Sequence, residues 1–273
     1  MVSFPNAKIN IGLHITGKRP DGFHNLETVF YPVMLRDALE IIELPSHQQD
    51  DIQYSCSGFA INGRESDNLC IKAYHLLKKD FPELPAVSIH LHKGIPMGAG
   101  LGGGSADAAF MLLLLNKKFG LQITGSKLID YAAQLGSDCP FFILNTPSYA
   151  TGRGEVLEET GADLSDYKIL VVYPGIHINT GEAFKTLKLQ PARTDLRKAI
   201  LQPVETWKEV IVNDFETTVF ENHPSVKALK ESLYTAGASF AMMSGSGSTV
   251  YGIFKKEIRP VLNFPAGYFY KWV

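Results

Sequence analysis

The chain has 273 residues, enough for one large or two medium domains, and its 26 Lys and Arg against 28 Asp and Glu leave a net charge of −2. That balance excludes a general attraction to nucleic acid or to an anionic membrane. Hydrophobic residues make up 45% of the chain, and its three widely spaced cysteines form no CxxC pair, so we expect a globular cytoplasmic protein with unpaired thiols and no zinc site.

The first third of the chain predicts strands followed by one helix. Residues 2–15 and 25–44 are rich in β-branched and aromatic residues, and the turn signal Arg19-Pro20-Asp21-Gly22 lies between them. Residues 68–81 place apolar side chains on one helical stripe and lysines largely off it, which indicates an amphipathic helix.

A strand, a glycine-rich segment and a buried helix follow in direct succession. Residues 87–92 alternate as in a strand, and residues 105–116 are apolar nearly all round. After residue 161 the pattern restarts with a strand, helical stretches within 195–220 and 225–236, and three further strands that end at residue 273. We therefore predict an α+β fold in which residues 1–160 form one domain and residues 161–273 form a split βαβ, ferredoxin-like domain.

The glycine segment, which we define as residues 96–105, is the best candidate for a phosphate site. Its backbone carries few side chains and runs into a helix, so several N–H groups and the helix dipole can converge on phosphate oxygens. The hydroxyl of Ser105 suits a phosphate oxygen or a metal-bound water, or else caps the helix. The residues predicted to hold the phosphates are Pro96, Met97, Gly98, Ala99, Gly100, Leu101, Gly102, Gly103, Gly104, Ser105 and Ala106.

Two standard nucleotide loops compete for this segment, and neither fits. A Walker A loop needs Lys and then Ser or Thr after its last glycine, whereas Gly104 is followed by Ser105-Ala106. A dinucleotide fingerprint is matched in form by Gly98, Gly100 and Gly103, but the acidic residue expected about 20 residues later is replaced by Gln122-Ile123-Thr124.

Three motifs together identify a family. The chain resembles the GHMP small-molecule kinases in PMGAGLGGGSADAA, in the late segment SGSGST at residues 244–249, and in Ala7-Lys8-Ile9-Asn10. RPDGFH and YPGIHINTGEAF resemble the branch that acts on a cytidyl-diphosphate sugar alcohol. The resemblance implies the two-domain GHMP architecture, with a mixed-sheet, ATP-binding N-terminal domain and a C-terminal domain that contributes to substrate binding.

Asp138 and Lys8 are the catalytic candidates. A carboxylate at Asp138, before an apolar strand-like run, can accept a hydroxyl proton, although an Asp beside Pro140 can also cap a turn or helix. Lys8 and Asn10 alternate on the first strand and so share a face, although a strand lysine is usually a solvated edge charge. By resemblance, Lys8 pairs with Asp138, and Asn10 holds the substrate near its reacting hydroxyl.

The remaining candidates concern the two ligands. The resemblance places Phe23 and Phe184 around a pyrimidine, with His24 at the base edge and Thr180 nearby. Gly245 and Gly247 form a late glycine loop that either approaches the phosphates or first glycine segment, or is an ordinary hairpin turn. Weaker candidates for the nucleotide are Lys93, Asn68 and Leu69. We expect Mg²⁺ to accompany ATP, without an acidic pair to name as its ligands.

Two other functions compete with this interpretation. Another GHMP kinase would act on mevalonate, homoserine or a sugar, and RPDGFH with YPGIHINTGEAF argues against it. A non-catalytic nucleotide-binding protein would keep the fold without the reaction, and the presence of both Lys8 and Asp138 argues against that.

Overall fold

The computed structural model describes residues 1–45, 50–187 and 194–273. Its β-strands are β1 (Val2–Ser3), β2 (Asn6–Lys18), β3 (His24–Arg36), β4 (Ala38–Glu43), β5 (Ile52–Gly58), β6 (Val87–Lys93), β7 (Ser148–Thr151), β8 (Val156–Glu159), β9 (Tyr167–Tyr173), β10 (Phe240–Met243), β11 (Val250–Lys255) and β12 (Phe269–Trp272). Its α-helices are α1 (Leu69–Asp80), α2 (Gly103–Phe119), α3 (Gly125–Leu135), α4 (Cys139–Leu144), α5 (Thr180–Thr186), α6 (Leu196–Ala199), α7 (Trp207–Val210), α8 (Phe215–Asn222) and α9 (Pro224–Thr235).

Internal contacts divide the chain into two compact units that are not continuous in sequence. The first unit comprises Met1–Ala7, Met34–Met97 and Gly102–Thr146. The second comprises Lys8–Val33, Gly98–Leu101 and Pro147–Val273. The predicted boundary after residue 160 stays a prediction.

The first unit contains a mixed sheet covered by helices. Its strand order is β1-β4-β6-β5, with β5 parallel to β6 and the other pairs antiparallel. The side chains that β4 and β6 turn inward, such as Ile41 and Ile89, pack against α1 and α2 in one apolar core. Leu112 and Leu115 of α2 are fully buried there, so the prediction of a helix that is apolar nearly all round is confirmed.

The second unit contains two sheets. One has the order β2-β3-β7-β8, and the other has the order β10-β11-β9-β12 with antiparallel pairs throughout. In the second sheet β9 and β11 are central, β10 and β12 are the edges, and α9 packs with β10 and β11. This is the predicted split βαβ layer, and the α+β class is confirmed.

Two local predictions were wrong. The buried helix begins at Gly103, two residues earlier than predicted, with Gly102 in left-handed conformation (φ 71°) as its N-cap. Residues 139–144 form a helix, α4, and not a strand-like run. Pro140 in the first turn favours this start, because its fixed φ is already helical and its missing N–H is one that a helix leaves unsatisfied.

The cysteines and helices add two observations. Cys56, Cys70 and Cys139 are all free thiols, as their spacing predicted. In the parts of the chain that the structure describes, every helix is too short or too polar to cross a membrane.

Candidate active site

A buried ion triad fixes the start of the glycine segment in the first unit. Lys93 Nζ donates to Asp37 Oδ2 and, at 2.7 Å, to Asp107 Oδ2 of α2. Asp37 Oδ1 accepts the backbone N–H groups of Gly94 and Ile95 at 2.7 and 2.8 Å. One carboxylate therefore holds both the lysine and the chain that leads into the glycine segment.

The triad contains one cation and two carboxyl groups with almost no exposure to water. Burial alone would lower the pKa of Lys93, but Asp107 and Asp37 outweigh it and raise that pKa above its usual value. Burial raises the pKa of Asp107 to about 8, against the opposing effect of Lys93. A proton on Asp107 leaves the triad neutral, which is the state that a low-dielectric interior favours.

The start of α2 is built for close backbone packing. A Cβ on Gly103 would lie 3.0 Å from Ile95 Cγ2 and 3.2 Å from Lys93 Nζ, so a side chain there would press on the triad. The N-cap Gly102 makes no side-chain cap, and Ser105 lies within the first turn, so the alternative that Ser105 caps the helix is wrong. The N–H groups of this turn and the helix dipole are consequently suited to an anion.

The predicted phosphate-holding residues differ in exposure. Gly98 is exposed; Met97, Gly100, Gly102, Gly104 and Ser105 are half-buried; and Pro96, Ala99, Leu101, Gly103 and Ala106 are buried. Only the first two groups can present atoms to a ligand.

The tip of the glycine segment, Gly98–Leu101, belongs to the second unit and meets the late glycine loop, residues 244–249. Ser244 Oγ donates to the Gly100 carbonyl at 2.8 Å, and the Thr249 N–H donates to the Ala99 carbonyl at 3.2 Å. A Cβ on Gly100 (φ 81°) would lie 2.0 Å from the Ser244 carbonyl oxygen, which no side chain can tolerate. The late loop is thus a hairpin turn between β10 and β11 that also approaches the first glycine segment.

A side chain from outside the late loop, that of Asn213, holds the loop in place. Asn213 Nδ2 donates to the carbonyls of Met243 and Gly245, both at 2.8 Å. A Cβ on Gly245 would lie 3.2 Å from Gly100 Cα, and one on Gly247 would lie 2.8 Å from Met243 Sδ. Both predicted glycines are therefore needed by the close packing of this loop.

Lys8 and Asn10 point to the same side of β2, as their spacing predicted. Lys8 Nζ donates to Asn10 Oδ1 at 2.5 Å and to the Gly100 carbonyl at 3.4 Å. Asn10 Nδ2 donates to Thr28 Oγ1 at 3.0 Å. Lys8 is only 3% exposed, so the alternative of a solvated edge charge is wrong.

Asp138 occupies the N-cap position of α4 without capping it. Its backbone is helical (φ −84°, ψ −13°), and its side chain makes no capping hydrogen bond to α4, which removes the alternative that it caps this helix. In the first unit the Ser105 hydroxyl lies beside the thiol of Cys139, the next residue, so α2 and the Asp138 turn are neighbours. Burial raises the pKa of the Cys139 thiol to about 12, so this thiol is not a nucleophile at neutral pH.

The aromatic candidates differ in their contacts and exposure. The rings of His24 and Phe184 stack with centroids 4.8 Å apart and an angle of 17°, and Phe184 also meets Phe215 edge-on. Phe23 is 52% exposed and lies 5.0 Å from the Arg153 guanidinium. Thr180 begins α5, with its hydroxyl 3.0 Å from Ser246 Oγ.

The weaker nucleotide candidates have structural partners. Asn68 is the N-cap of α1, where its Oδ1 accepts the Cys70 N–H at 2.8 Å and its Nδ2 donates to the Tyr54 hydroxyl at 2.8 Å. Leu69 is half-buried against the core of the first unit. Lys93 is 1% exposed and held by the triad, so it supports the glycine segment instead of facing solvent.

Sequence reasoning missed three residues of this site. Asp107 is the one charged residue in the apolar stretch 105–116 of α2, and that contrast is a signal that a buried partner must exist. Asp37 and Asn213 carry no such signal, because their partners lie 56 or more and 30 or more residues away along the chain.

Comparison with known families matches both halves of the chain. A model described as GHMP kinases N terminal domain matches residues 68–146, and one described as GHMP kinases C terminal matches residues 196–263. The first range contains the triad lysine, the glycine segment and Asp138, and the second contains Asn213 and the late glycine loop.

Individual relatives extend the match to nearly the full length. The 4-diphosphocytidyl-2-C-methyl-D-erythritol kinase of Bacteroides thetaiotaomicron is 51% identical over 94% of this chain and 93% of that protein. That of Azobacteroides pseudotrichonymphae is 48% identical over 97% of both. A crystal structure of 4-(cytidine 5'-diphospho)-2C-methyl-D-erythritol kinase has a TM-score of 0.77 at 30% identity, over 93% of this chain and 90% of that chain. A Methanococcus jannaschii mevalonate kinase, with a TM-score of 0.63 at 13% identity over 94% and 92%, shares the fold alone.

Replacing Asp37 by Asn should destabilise the protein. The change removes the carboxylate that binds Lys93 and the N–H groups of Gly94 and Ile95, and breaking a buried ion pair typically lowers the free energy of unfolding by about 3–5 kcal/mol. Urea unfolding measures this change. Asp67→Asn is the matched control, because Asp67 pairs with Arg64 and Lys72 at the surface and its loss should cost less than about 1 kcal/mol. Equal effects of the two variants would contradict the assigned role of the triad.

The triad should also make stability depend on pH. The folded protein holds a proton on Asp107 that the unfolded chain has released, so the free energy of unfolding falls as the pH rises from 3.8 towards 8. In Asp107→Asn a neutral amide replaces that carboxyl and removes this dependence. Urea unfolding at a series of pH values should therefore show that the free energy of unfolding of the variant increases relative to that of the wild type as the pH rises. A constant difference between the two proteins would contradict the raised pKa.

Replacing Gly100 by Ala should lower the free energy of unfolding by about 2 kcal/mol or more, because the new Cβ meets the Ser244 carbonyl at a left-handed φ. Gly104→Ala is the matched control in the same segment. Its Cβ would meet nothing nearer than the flexible end of Met97 at 3.8 Å, and Ala favours a helix by up to about 1 kcal/mol. Urea unfolding of both variants measures the contrast, and a tolerated Gly100→Ala would refute the close approach.

Proposed function

This chain belongs to the GHMP kinase family, and we propose that it transfers the γ-phosphoryl group of ATP to the 2-hydroxyl of 4-diphosphocytidyl-2-C-methyl-D-erythritol. The product is a precursor in non-mevalonate isoprenoid synthesis. The observation that carries the substrate assignment is identity near one half to kinases of that name over 94% of the chain. The likeness to mevalonate kinase at 13% identity concerns the fold alone and carries no substrate.

The glycine segment supports the nucleotide half of the reaction. The uncapped first turn of α2 presents N–H groups and a helix dipole, which suit the phosphates of ATP. The triad fixes the chain before this turn, and Ser244 and Thr249 fix the tip through backbone contacts. Donors that are held in place before the ligand arrives stabilise the charge of the transferring phosphoryl group without reorganisation.

Asp138 is the proposed general base. As its carboxylate takes the proton from the 2-hydroxyl, that oxygen bonds to the γ-phosphorus, the bond from the γ-phosphorus to the bridging oxygen breaks, and ADP leaves. The Asp138 side chain is half-buried at the start of α4, and the next residue, Cys139, lies beside the Ser105 hydroxyl of α2, which supports this role. A positioned base of this kind typically contributes about 10²–10⁴-fold to the rate.

Lys8 is the proposed cation at the reacting centre, where it steadies the phosphoryl oxygens. Its ammonium is buried and directed by Asn10 Oδ1 and the Gly100 carbonyl, so its position depends on the tip of the glycine segment. Asn10 in turn is fixed by Thr28, which supports its proposed part in holding the substrate.

Mg²⁺ is proposed to enter with the nucleotide. Within residues 1–45, 50–187 and 194–273, no three His, Cys, Asp or Glu side chains lie close enough together to hold a metal ion. The donors that fit Mg²⁺ here are the phosphate oxygens themselves, with the hydroxyl of Ser105 and water as further oxygen ligands. When bound, the ion neutralises phosphate charge.

The cytosine base of the substrate is proposed to bind at α5 and the β2–β3 hairpin. His24 stacks on Phe184, so the two residues already form a flat platform, and the His24 ring nitrogens can read the edge of cytosine. Phe23, exposed and backed by Arg153, offers a second aromatic face.

The proposal is tested by ATP consumption with Mg²⁺ and the cytidyl substrate, run beside mevalonate and homoserine. We expect turnover with the cytidyl substrate alone. Asp138→Asn should lower kcat by about 10²-fold or more, because the amide cannot accept the proton. Asp130→Asn, at an exposed acid of α3, is the matched control and should keep the wild-type rate.

Two results would overturn parts of this account. Turnover with mevalonate or homoserine in place of the cytidyl substrate would keep the kinase assignment and reject the substrate. A wild-type rate in Asp138→Asn would keep the substrate and reject the base.

A further inference from the structure

Residues 176–180, which follow β9 and end with the first residue of α5, form a strap that lies along both glycine-rich loops. Ser248 Oγ donates to the Ile176 carbonyl, and Thr180 Oγ1 lies 3.0 Å from Ser246 Oγ. A Cβ on Gly247 would lie 2.8 Å from Ile178 Cδ1. Three positions of the strap thus contact three successive residues of the late glycine loop.

The strap also touches the first glycine segment, through His177. A Cβ on Gly98 would lie 2.6 Å from both Cε1 and Nδ1 of the His177 ring, so the imidazole occupies the space that a side chain would need. Ile176 and Ile178 pack against the core of the second unit, while His177 points away from it and is exposed. The alternation anchors the strap on both sides of the histidine and presses the ring on Gly98.

The other end of the strap continues directly into the pyrimidine platform. Asn179 is the N-cap of α5, where its Oδ1 accepts the Glu182 N–H at 3.1 Å and its carbonyl accepts the Ala183 N–H at 3.0 Å. One turn later Phe184 stacks on His24. A shift of α5 must therefore move the strap, because the cap joins them within two residues of His177.

We propose that the strap couples the two substrate sites, with His177 as the positioning residue that seats the tip of the glycine segment when a pyrimidine base orders α5. This proposal rests on the proposed function, since it takes the base as the ligand of α5 and ATP as the ligand of the glycine segment. A base that stacks beside Phe184 fixes α5, the strap and Gly98 together. The nucleotide then binds more tightly, because the tip of the glycine segment has already lost conformational freedom. By linkage, bound nucleotide must tighten the binding of the pyrimidine substrate by the same factor.

Calorimetric titration tests the coupling without turnover. The dissociation constant of a non-hydrolysable ATP analogue is measured with Mg²⁺, in the absence and in the saturating presence of the cytidyl substrate. For the wild type we expect about 5-fold tighter binding of the analogue when the substrate is present, at the lower end of typical couplings. In His177→Ala this factor should fall to about 1, while the substrate alone binds within about 2-fold of the wild type.

Two further variants separate positioning from a general loss of structure. His75→Ala removes an exposed histidine of α1 and should keep the wild-type factor. His177→Phe keeps a flat ring against Gly98 without its nitrogens and should restore most of the coupling. If His177→Phe behaves like His177→Ala, packing of the ring is not the cause and the proposal is overturned.

The test also distinguishes the proposal from the function on which it rests. A wild-type protein that turns over the cytidyl substrate but shows no coupling refutes the strap alone. A wild-type protein that binds no cytidyl substrate refutes the function, and with it the proposal.

Discussion

The close approach of two backbones at Gly100 is the constraint on which the arrangement of the second unit depends. The Ser244 carbonyl occupies the space where any other residue would carry its Cβ, and Ser244 Oγ donates to the Gly100 carbonyl. The same hydroxyl accepts the N–H of Asn10 at 3.2 Å. One serine therefore joins the tip of the glycine segment, the late glycine loop and the strand that carries Lys8, although they are far apart in sequence. Glycine is the residue that permits such an approach, at a cost in backbone entropy.

Different physical means fix the start and the tip of the glycine segment. The start depends on charge, because Asp37 binds Lys93 and two backbone N–H groups in a buried site. The tip depends on shape, because backbone carbonyls of Ala99 and Gly100 meet donors from the late loop. A buried triad is strongly destabilised when one partner is lost, whereas the tip is disrupted when a side chain intrudes at Gly100. Neither the triad nor the contacts of the tip cap the N–H groups in the first turn of α2 with a side chain, and a phosphate-binding turn requires such uncapped groups.

Much of this fold could be predicted from local pattern. The alternation in residues 87–92 and the apolar run of α2 depend on neighbours in sequence, and both elements formed, although α2 begins two residues earlier than the pattern indicated. Lys8 and Asn10 share a side because strand period fixes it. By contrast, no local pattern couples Asp37 to Lys93 or Asn213 to Gly245, since those contacts are made by tertiary packing. The helix after Asp138 was missed because CPFFIL has the apolar, aromatic composition of a strand, and only Pro140 indicated a helix start. The stacking of His24 on Phe184 also depends on packing, which leaves the neighbouring Phe23 exposed.

The central claim is that the glycine segment holds the ATP phosphates while Asp138 takes the proton of the substrate hydroxyl. A crystal structure with a non-hydrolysable ATP analogue, Mg²⁺ and the cytidyl substrate tests it most directly. We expect the phosphates against the first turn of α2, and the 2-hydroxyl within about 3 Å of the Asp138 carboxylate and in line with the γ-phosphorus. Phosphates bound away from residues 96–105, or a 2-hydroxyl that faces a group other than Asp138, would contradict the account.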